Sequence, residues 1–320
     1  MPDYLYVVKA KLTALINEMS EAPALFVKNP KTDFTRNRKL PFGMVMELLI
    51  SMGGNSIYKE LLDAQGYDVN TATTSAFIQQ REKLLPFAFE FLLSEFTSSC
   101  PVVKKYRGYR LFAADGSDAH IPTNPDDPET FFQAEPDAKG YNLLHINALY
   151  DLCNRLYADT CVQPGRHENE HKALVTMVDR SPVQGKVIVI ADRLYESYND
   201  FAHIERKGWN YLIRMKDRDS NGILSGLSLP SDDEFDVCCQ RILTRKQTKD
   251  VKNHPEIYRF VPHHSTFDFL DLDTNKFYPI SFRLVRFKIT DHSYETVITN
   301  LDSASFSPHE LKTLYHTNLD

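Results

Sequence analysis

The sequence lacks three things that would each place it in a distinct class: a membrane-spanning run, a secretory leader and a paired-cysteine motif. No apolar stretch approaches the roughly 20 residues that cross a bilayer. The opening MPDYLYVVKAKL has no basic segment followed by an apolar one, so no signal peptide is expected. The five cysteines, Cys100, Cys153, Cys161, Cys238 and Cys239, are odd in number and form no CxxC pair. They read as reduced thiols in a cytoplasmic protein. Internal repeats and low-complexity tracts are absent as well. What is left is an ordinary globular composition, 42% hydrophobic and 25% charged, over 320 residues, enough for two domains.

The net charge of -6 hides an asymmetry. Residues 1–110 carry 14 Lys and Arg against 11 Asp and Glu, and the remainder is acidic. A basic front and an acidic rear suit a DNA-docking region joined to a carboxylate-rich site that needs cations. Two solvated surfaces of different charge would look the same.

Residues 1–100 read as helical. Apolar positions recur at three and four in LTALINEM, GMVMELLISMG and AFIQQREKLLPFAFEFLLSEF. Ser75 is the expected cap of the last run, Gly53-Gly54 closes the one before, and Pro86 divides the long helix. After Cys100-Pro101 the pattern turns to β: YRLFAADGS, LLHINALYDLCN and RLYADTCVQP, with a hairpin tip at Asn154-Arg155. A helix from near Glu168 to Arg180, the buried strand VIVIADR, a helix near Ser197–Lys207 and the strand NYLIRMK follow. This order predicts an α/β layer with a mixed sheet over 101–217. Residues 218–295 read as a β-rich insertion, and 296–320 as a last core strand and the start of a helix with its N-terminal signal at Ser307-Pro308.

Two acids stand out. Asp115 ends one expected strand and Asp192 another, and ligands of open α/β sheets bind at the carboxyl ends of strands. Two carboxylates held together share a proton or take a divalent cation. Their hard oxygens suit Mg²⁺ or Mn²⁺, which in pairs activate an attacking oxygen and stabilise a leaving one at phosphorus.

The stretches LFAADGSDAHIP, VIVIADRLYESYNDFAHIERKGWNYLIRMKD and ETVITNLDSASFSPHELKTLYHT resemble, in that order, the ribonuclease H-like domain of bacterial insertion-sequence DDE transposases. The likeness is to the insertion-sequence-four family, marked by a Tyr-x2-Arg-x3-Glu-x6-Lys signature. It implies a helical DNA-binding domain, then a ribonuclease H-like catalytic core holding a β-rich insertion. It also implies that Asp115 and Asp192 are metal-binding catalytic acids. The implied partners are double-stranded DNA, both the transposon's terminal inverted repeats and the target. A homodimer in the DNA complex and a cytoplasmic, nucleoid-associated location follow from the same likeness. Tyr315 matches the signature tyrosine, but Asn318 stands where its arginine belongs, and its glutamate would fall at position 322, past Asp320. Two positions along a helix rotate a side chain by about 200°, so Asp320 is no substitute. The expectation is a truncated copy lacking the third acid and inactive in strand transfer, or a non-catalytic DNA-binding remnant that competes with intact copies.

Candidate DNA contacts are Arg36, Arg38 and Lys39 in a basic loop, Arg81 on a polar helix face beside Gln79, Gln80 and Lys83, Arg245 and Lys246 in a basic run, and Tyr315. A solvated charged surface explains the basic run equally well. One motif points to other chemistry. His167-Glu168-Asn169-Glu170-His171 is a literal HExxH, which on a helix holds Zn²⁺ in metallopeptidases. Pro164-Gly165 just upstream places His167 at a helix start, which argues for an exposed first turn. His263-His264 reads as loop, and Trp209 as core rather than a base-stacking platform.

Overall fold

The computed structural model describes residues 2–36, 38–100, 104–135, 137–216, 222–272 and 275–316. The chain divides into two compact units, residues 1–101 and 102–320.

The first unit is helical: α1 (Pro2–Glu21), α2 (Phe42–Ser51), α3 (Ile57–Ala64), α4 (Thr74–Arg81) and α5 (Phe87–Ser99). Its core gathers Ile16, Phe26, Phe42, Val45, Met46, Leu61, Phe77, Ala88 and Leu92. The cap of α4 is Thr73, whose hydroxyl accepts from the Ala76 amide, and Ser75 lies inside the helix. The long apolar run is divided, with α4 ending at Arg81 and Pro86 preceding α5. A fixed φ and a missing amide make Pro86 fit a helix start and no helix interior.

The second unit is built on one ten-stranded mixed sheet. Its elements begin with β1 (Arg110–Ile121), β2 (Phe131–Phe132), β3 (Tyr141–Asp151), β4 (Leu156–Pro164), α6 (Glu170–Arg180), β5 (Val187–Ala191), α7 (Tyr198–Arg206) and β6 (Asn210–Arg214). They continue as β7 (Phe235–Thr244), α8 (Lys249–Asn253), β8 (Tyr258–Phe260), β9 (Phe277–Thr290), β10 (Ser293–Thr299) and α9 (Pro308–His316). The order β2-β3-β1-β5-β6-β10-β9-β7-β8, with β4 also on β3, places the parallel strands β1, β5 and β6 side by side, flanked by antiparallel β3 and β10. This is the ribonuclease H-like mixed sheet. The strands of the stretch read as an insertion extend that sheet through β9, β7 and β8, and the last core strand begins at Ser293, not 296.

Each face of the sheet has its own apolar cover. Phe112, Ala114, Val187, Val189, Tyr211 and Ile213 pack under α6 and α7 through Leu174, Met177, Phe201 and Ile204. Leu111, Ile188, Ile190, Leu212, Val285 and Val297 pack under α9 through Leu311, Leu314 and Tyr315. All five residues of VIVIA are buried, as a strand covered on both faces requires. Trp209 is 2% exposed and meets Phe112 edge-on. The β3–β4 hairpin turns at Arg155, which takes φ +56°. A Ser307–Glu310 capping box opens α9, with Glu310 accepting from the Ser307 amide at 2.8 Å.

Candidate active site

The parallel ladder between β1 and β5 runs Leu111 to Ile188, Ala113 to Ile190 and Ala114 to Ala191. Asp115 and Asp192 are the next residues on the two strands. Side chains alternate along a strand, so Asp115 shares the face of Leu111, and Asp192 that of Ile188 and Ile190. Those three pack on the α9 side. Asp192 keeps extended backbone, φ -81° and ψ -177°, so the alternation holds through it. The two exposed acids therefore stand on one face at adjoining strands, whose spacing is about 4.8 Å.

Asp115 does not end its strand. β1 continues six residues further because β3 pairs with it antiparallel as far as Ile121 opposite Asn142. What ends at Asp115 is the ladder to β5. Each acid also holds a local amide: Asp115 accepts from Gly116 at 2.9 Å, and Asp192 from Leu194 at 2.8 Å.

The row extends sideways. Ala191 pairs with Ile213, so Arg214 follows beside Asp192 on the same face. Arg214 lies 3.1 Å from Glu295 of β10, and His316 of α9 lies 3.4 Å from Glu295. Tyr315 is buried and hydrogen-bonds Arg214; its hydroxyl is pushed up to about 12 by burial, with Glu295 and Asp192 adding and Arg214 opposing. On the opposite face, burial raises the Tyr195 hydroxyl, and the carboxylates of Glu170, Asp115, Asp192 and Asp200 raise it further. Negative charge is thus concentrated around the ends of β1 and β5, an arrangement that favours a divalent cation. Asn318 and Asp320 lie outside the described residues.

The HExxH motif does not form a zinc pair. His167 belongs to a short 3₁₀ turn, Asn169 caps α6, and the helix begins at Glu170. Only His171 is helical, and its Nδ1 lies 2.7 Å from the buried Asp200. That hydrogen bond raises the imidazole pKa. The peptidase reading therefore fails on geometry.

The transposase DDE domain family matches residues 106–317, a stretch that contains this whole row. The chain belongs to that family. Among solved structures, the DDE chain is similar to a piggyBac transposase in a synaptic complex with hairpin DNA, at 11% identity and a TM-score of 0.36. The match covers 96% of this chain and 57% of that one, so the chain spans little more than half the length of its structural relative. No curated protein matches the sequence. No helix among the described residues is long and apolar enough to cross a membrane.

The cationic residues of this DDE-family chain fall into two groups. Lys31, Arg36, Arg38 and Lys83 line a cleft of the helical unit together with Gln80, and Arg38 and Lys39 border a second hollow with Gln79. Lys39 donates to the Asn70 carbonyl at 2.8 Å, and Arg81 is exposed. Arg245, by contrast, is buried, and its guanidinium gives five hydrogen bonds to the carbonyls of Pro262, Ser265, Phe267 and Leu270. A guanidinium has five N–H donors, so none is left for a phosphate. Arg241 is likewise buried, donating to Pro255, Tyr258 and Gly226. In the sequence these two look like the surface cations beside them. Only the partners, 14 to 25 residues away, separate structural arginine from surface arginine. Lys246 is half-buried, and Lys249 and Lys252 are exposed.

Proposed function

We propose that this chain is a bacterial DNA transposase of the insertion-sequence-four group, which cuts transposon ends and joins them to target DNA at a site centred on Asp115 and Asp192. The observation that carries the reading is the shared face of these two acids at the ends of adjoining parallel strands. Their donor set fits Mg²⁺ or Mn²⁺: two exposed hard-oxygen ligands on adjoining strands, in a field already rich in carboxylate.

The chemistry such cations would supply, if held there, is activation of the attacking oxygen and stabilisation of the leaving one. The chain's own part is positioning. The parallel ladder fixes β1 and β5 in register, and the Leu194 amide donates to Oδ1 of Asp192, so that Asp115 and Asp192 would be the residues to hold a cation. Arg214 carries positive charge at the edge of the row, placed to meet a phosphate oxygen. The third acid of the signature corresponds to position 322, so the cleavage test uses both this chain and one carried through a glutamate at 322. Asp115→Asn in the longer chain is expected to abolish end cleavage while sparing DNA binding. Cleavage retained in that variant overturns the assignment.

The helical unit supports a second, narrower reading. It has its own core and a cleft lined by four cations, so it is equipped to bind duplex DNA even where no cleavage occurs. In that reading the chain competes with cleaving transposases for transposon ends in the cytoplasm, and as a transposase it acts there as a homodimer on DNA. DNA retarded by the chain with Mg²⁺ present but never cut, even by the chain carried through a glutamate at 322, would favour competition over catalysis.

A further inference from the structure

The structure assigns a second divalent-cation site, of the zinc class, to Asp118, His145 and Glu168, on the face of β1 opposite Asp115. One ligand atom from each of these residues lies within 4.8 Å of the others. The ladder sets Asp118 of β1 directly across from His145 of β3, and Glu168 arrives on the turn that precedes α6. His145 Nδ1 is 2.8 Å from Asp118 Oδ1 and 3.5 Å from Glu168 Oε2. Two ligands held at about 2.1 Å by one zinc ion stand about 3.0–3.4 Å apart, so the two spacings to His145 are already near those of a bound ion.

The second observation concerns the other end of the ring. His145 is 7% exposed, and its Nε2 is buried with no hydrogen-bond partner. Glu170 Oε1 lies 3.3 Å from that nitrogen. Three carboxylates thus surround one imidazole, and one of its nitrogens goes unused. A cation taken at Nδ1 resolves both features together. The ring proton would then reside on Nε2, which faces Glu170 Oε1 at 3.3 Å, the placement of a carboxylate–histidine–metal relay that fixes a ligating imidazole. Gly116 makes the arrangement possible, because a Cβ there would lie 2.5 Å from both Glu170 Oε1 and His145 Nε2. An imidazole among the ligands selects zinc-like ions over Mg²⁺, whereas the Asp115–Asp192 row offers oxygen alone. The HExxH string thus lends its Glu168 to a site that neither of its histidines joins.

The test is equilibrium dialysis of the chelator-stripped chain against micromolar Zn²⁺ with excess Mg²⁺, read by elemental analysis and by the absorption spectrum of a Co²⁺ substitute. One Zn²⁺ per chain is expected, with the affinity falling about tenfold or more in His145→Gln and Asp118→Asn and holding in Asp115→Asn/Asp192→Asn. Because His145 is buried, Glu168→Gln serves as the surface variant if His145→Gln does not fold; it is expected to weaken Zn²⁺ binding and alter the Co²⁺ spectrum. Zn²⁺ displaced by Mg²⁺, binding unchanged in His145→Gln or Glu168→Gln, or binding lost only in the Asp115/Asp192 variant would each overturn the assignment.

Discussion

Replacing Arg245 with methionine separates a buried clamp from a phosphate contact. Arg245 holds the loop 262–270 against the end of β7 through five hydrogen bonds. The same loop is fastened to α7 by Asp268, which lies 3.0 Å from both Asn199 and His203. Methionine keeps much of the volume and removes every donor. The carbonyls of Phe267 and Leu270, whose residues are buried, lose their partner, and each such loss costs about 1–3 kcal/mol. Those of Pro262 and Ser265 are closer to water and cost less. Relief from burying a charge offsets part of the total. The net expectation is about 3 kcal/mol, equivalent to a fall in melting temperature of roughly 6–12 °C for a unit of this size. Arg245→Lys keeps the charge but not the fork, and should recover less than half. Urea unfolding, with amide exchange over 262–270, provides the assay. The reasoning is refuted if Arg245→Met stays within about 0.5 kcal/mol of wild type or weakens DNA binding at full stability.

Three further outcomes are expected. Phe112→Ala removes a fully buried ring wedged against Trp209 and should cost about 3–5 kcal/mol in chemical denaturation; a loss below about 1 kcal/mol would mean that this face is loosely packed. The folded chain holds the His171 proton more tightly than the unfolded chain, because Asp200 accepts its hydrogen bond. That contribution is complete below the unfolded histidine value of about 6.5 and is lost as pH rises through the raised folded one, so His171→Gln should flatten the fall in stability above about pH 6.5; parallel profiles would refute it. Arg36→Ala/Arg38→Ala should weaken duplex binding uniformly across sequences and lower the salt slope by about 2, and an unchanged slope would place the phosphate contacts elsewhere.

Much of this was legible in the residues, and the exceptions share a cause. VIVIADR announces a strand buried on both faces, and the structure pairs it in parallel with the strand carrying Asp115; the pattern does not name that partner, and the family resemblance is what singled out the two acids. The continuation of β1 to Ile121 was not legible, because DGSDAH carries the polar residues of a turn and only the long partner β3 keeps it extended. Thr73 outcompetes Ser75 as a cap because the helix starts where tertiary packing puts it, and both residues carry the needed hydroxyl. The Asp118–His145–Glu168 cluster was invisible for the same reason as Arg245. Its members are 23 to 50 residues apart, and only strand pairing brings them together.

The account depends most on a cation being held jointly by residues 115 and 192. Ferrous iron in place of magnesium, with peroxide and ascorbate, cuts the backbone within reach of the bound ion. In a His145→Gln chain, which removes the second site, cuts are expected beside both Asp115 and Asp192 and should vanish together in either Asp→Asn variant. Cuts near only one of the two, or cuts that survive loss of its partner, would contradict a shared ion.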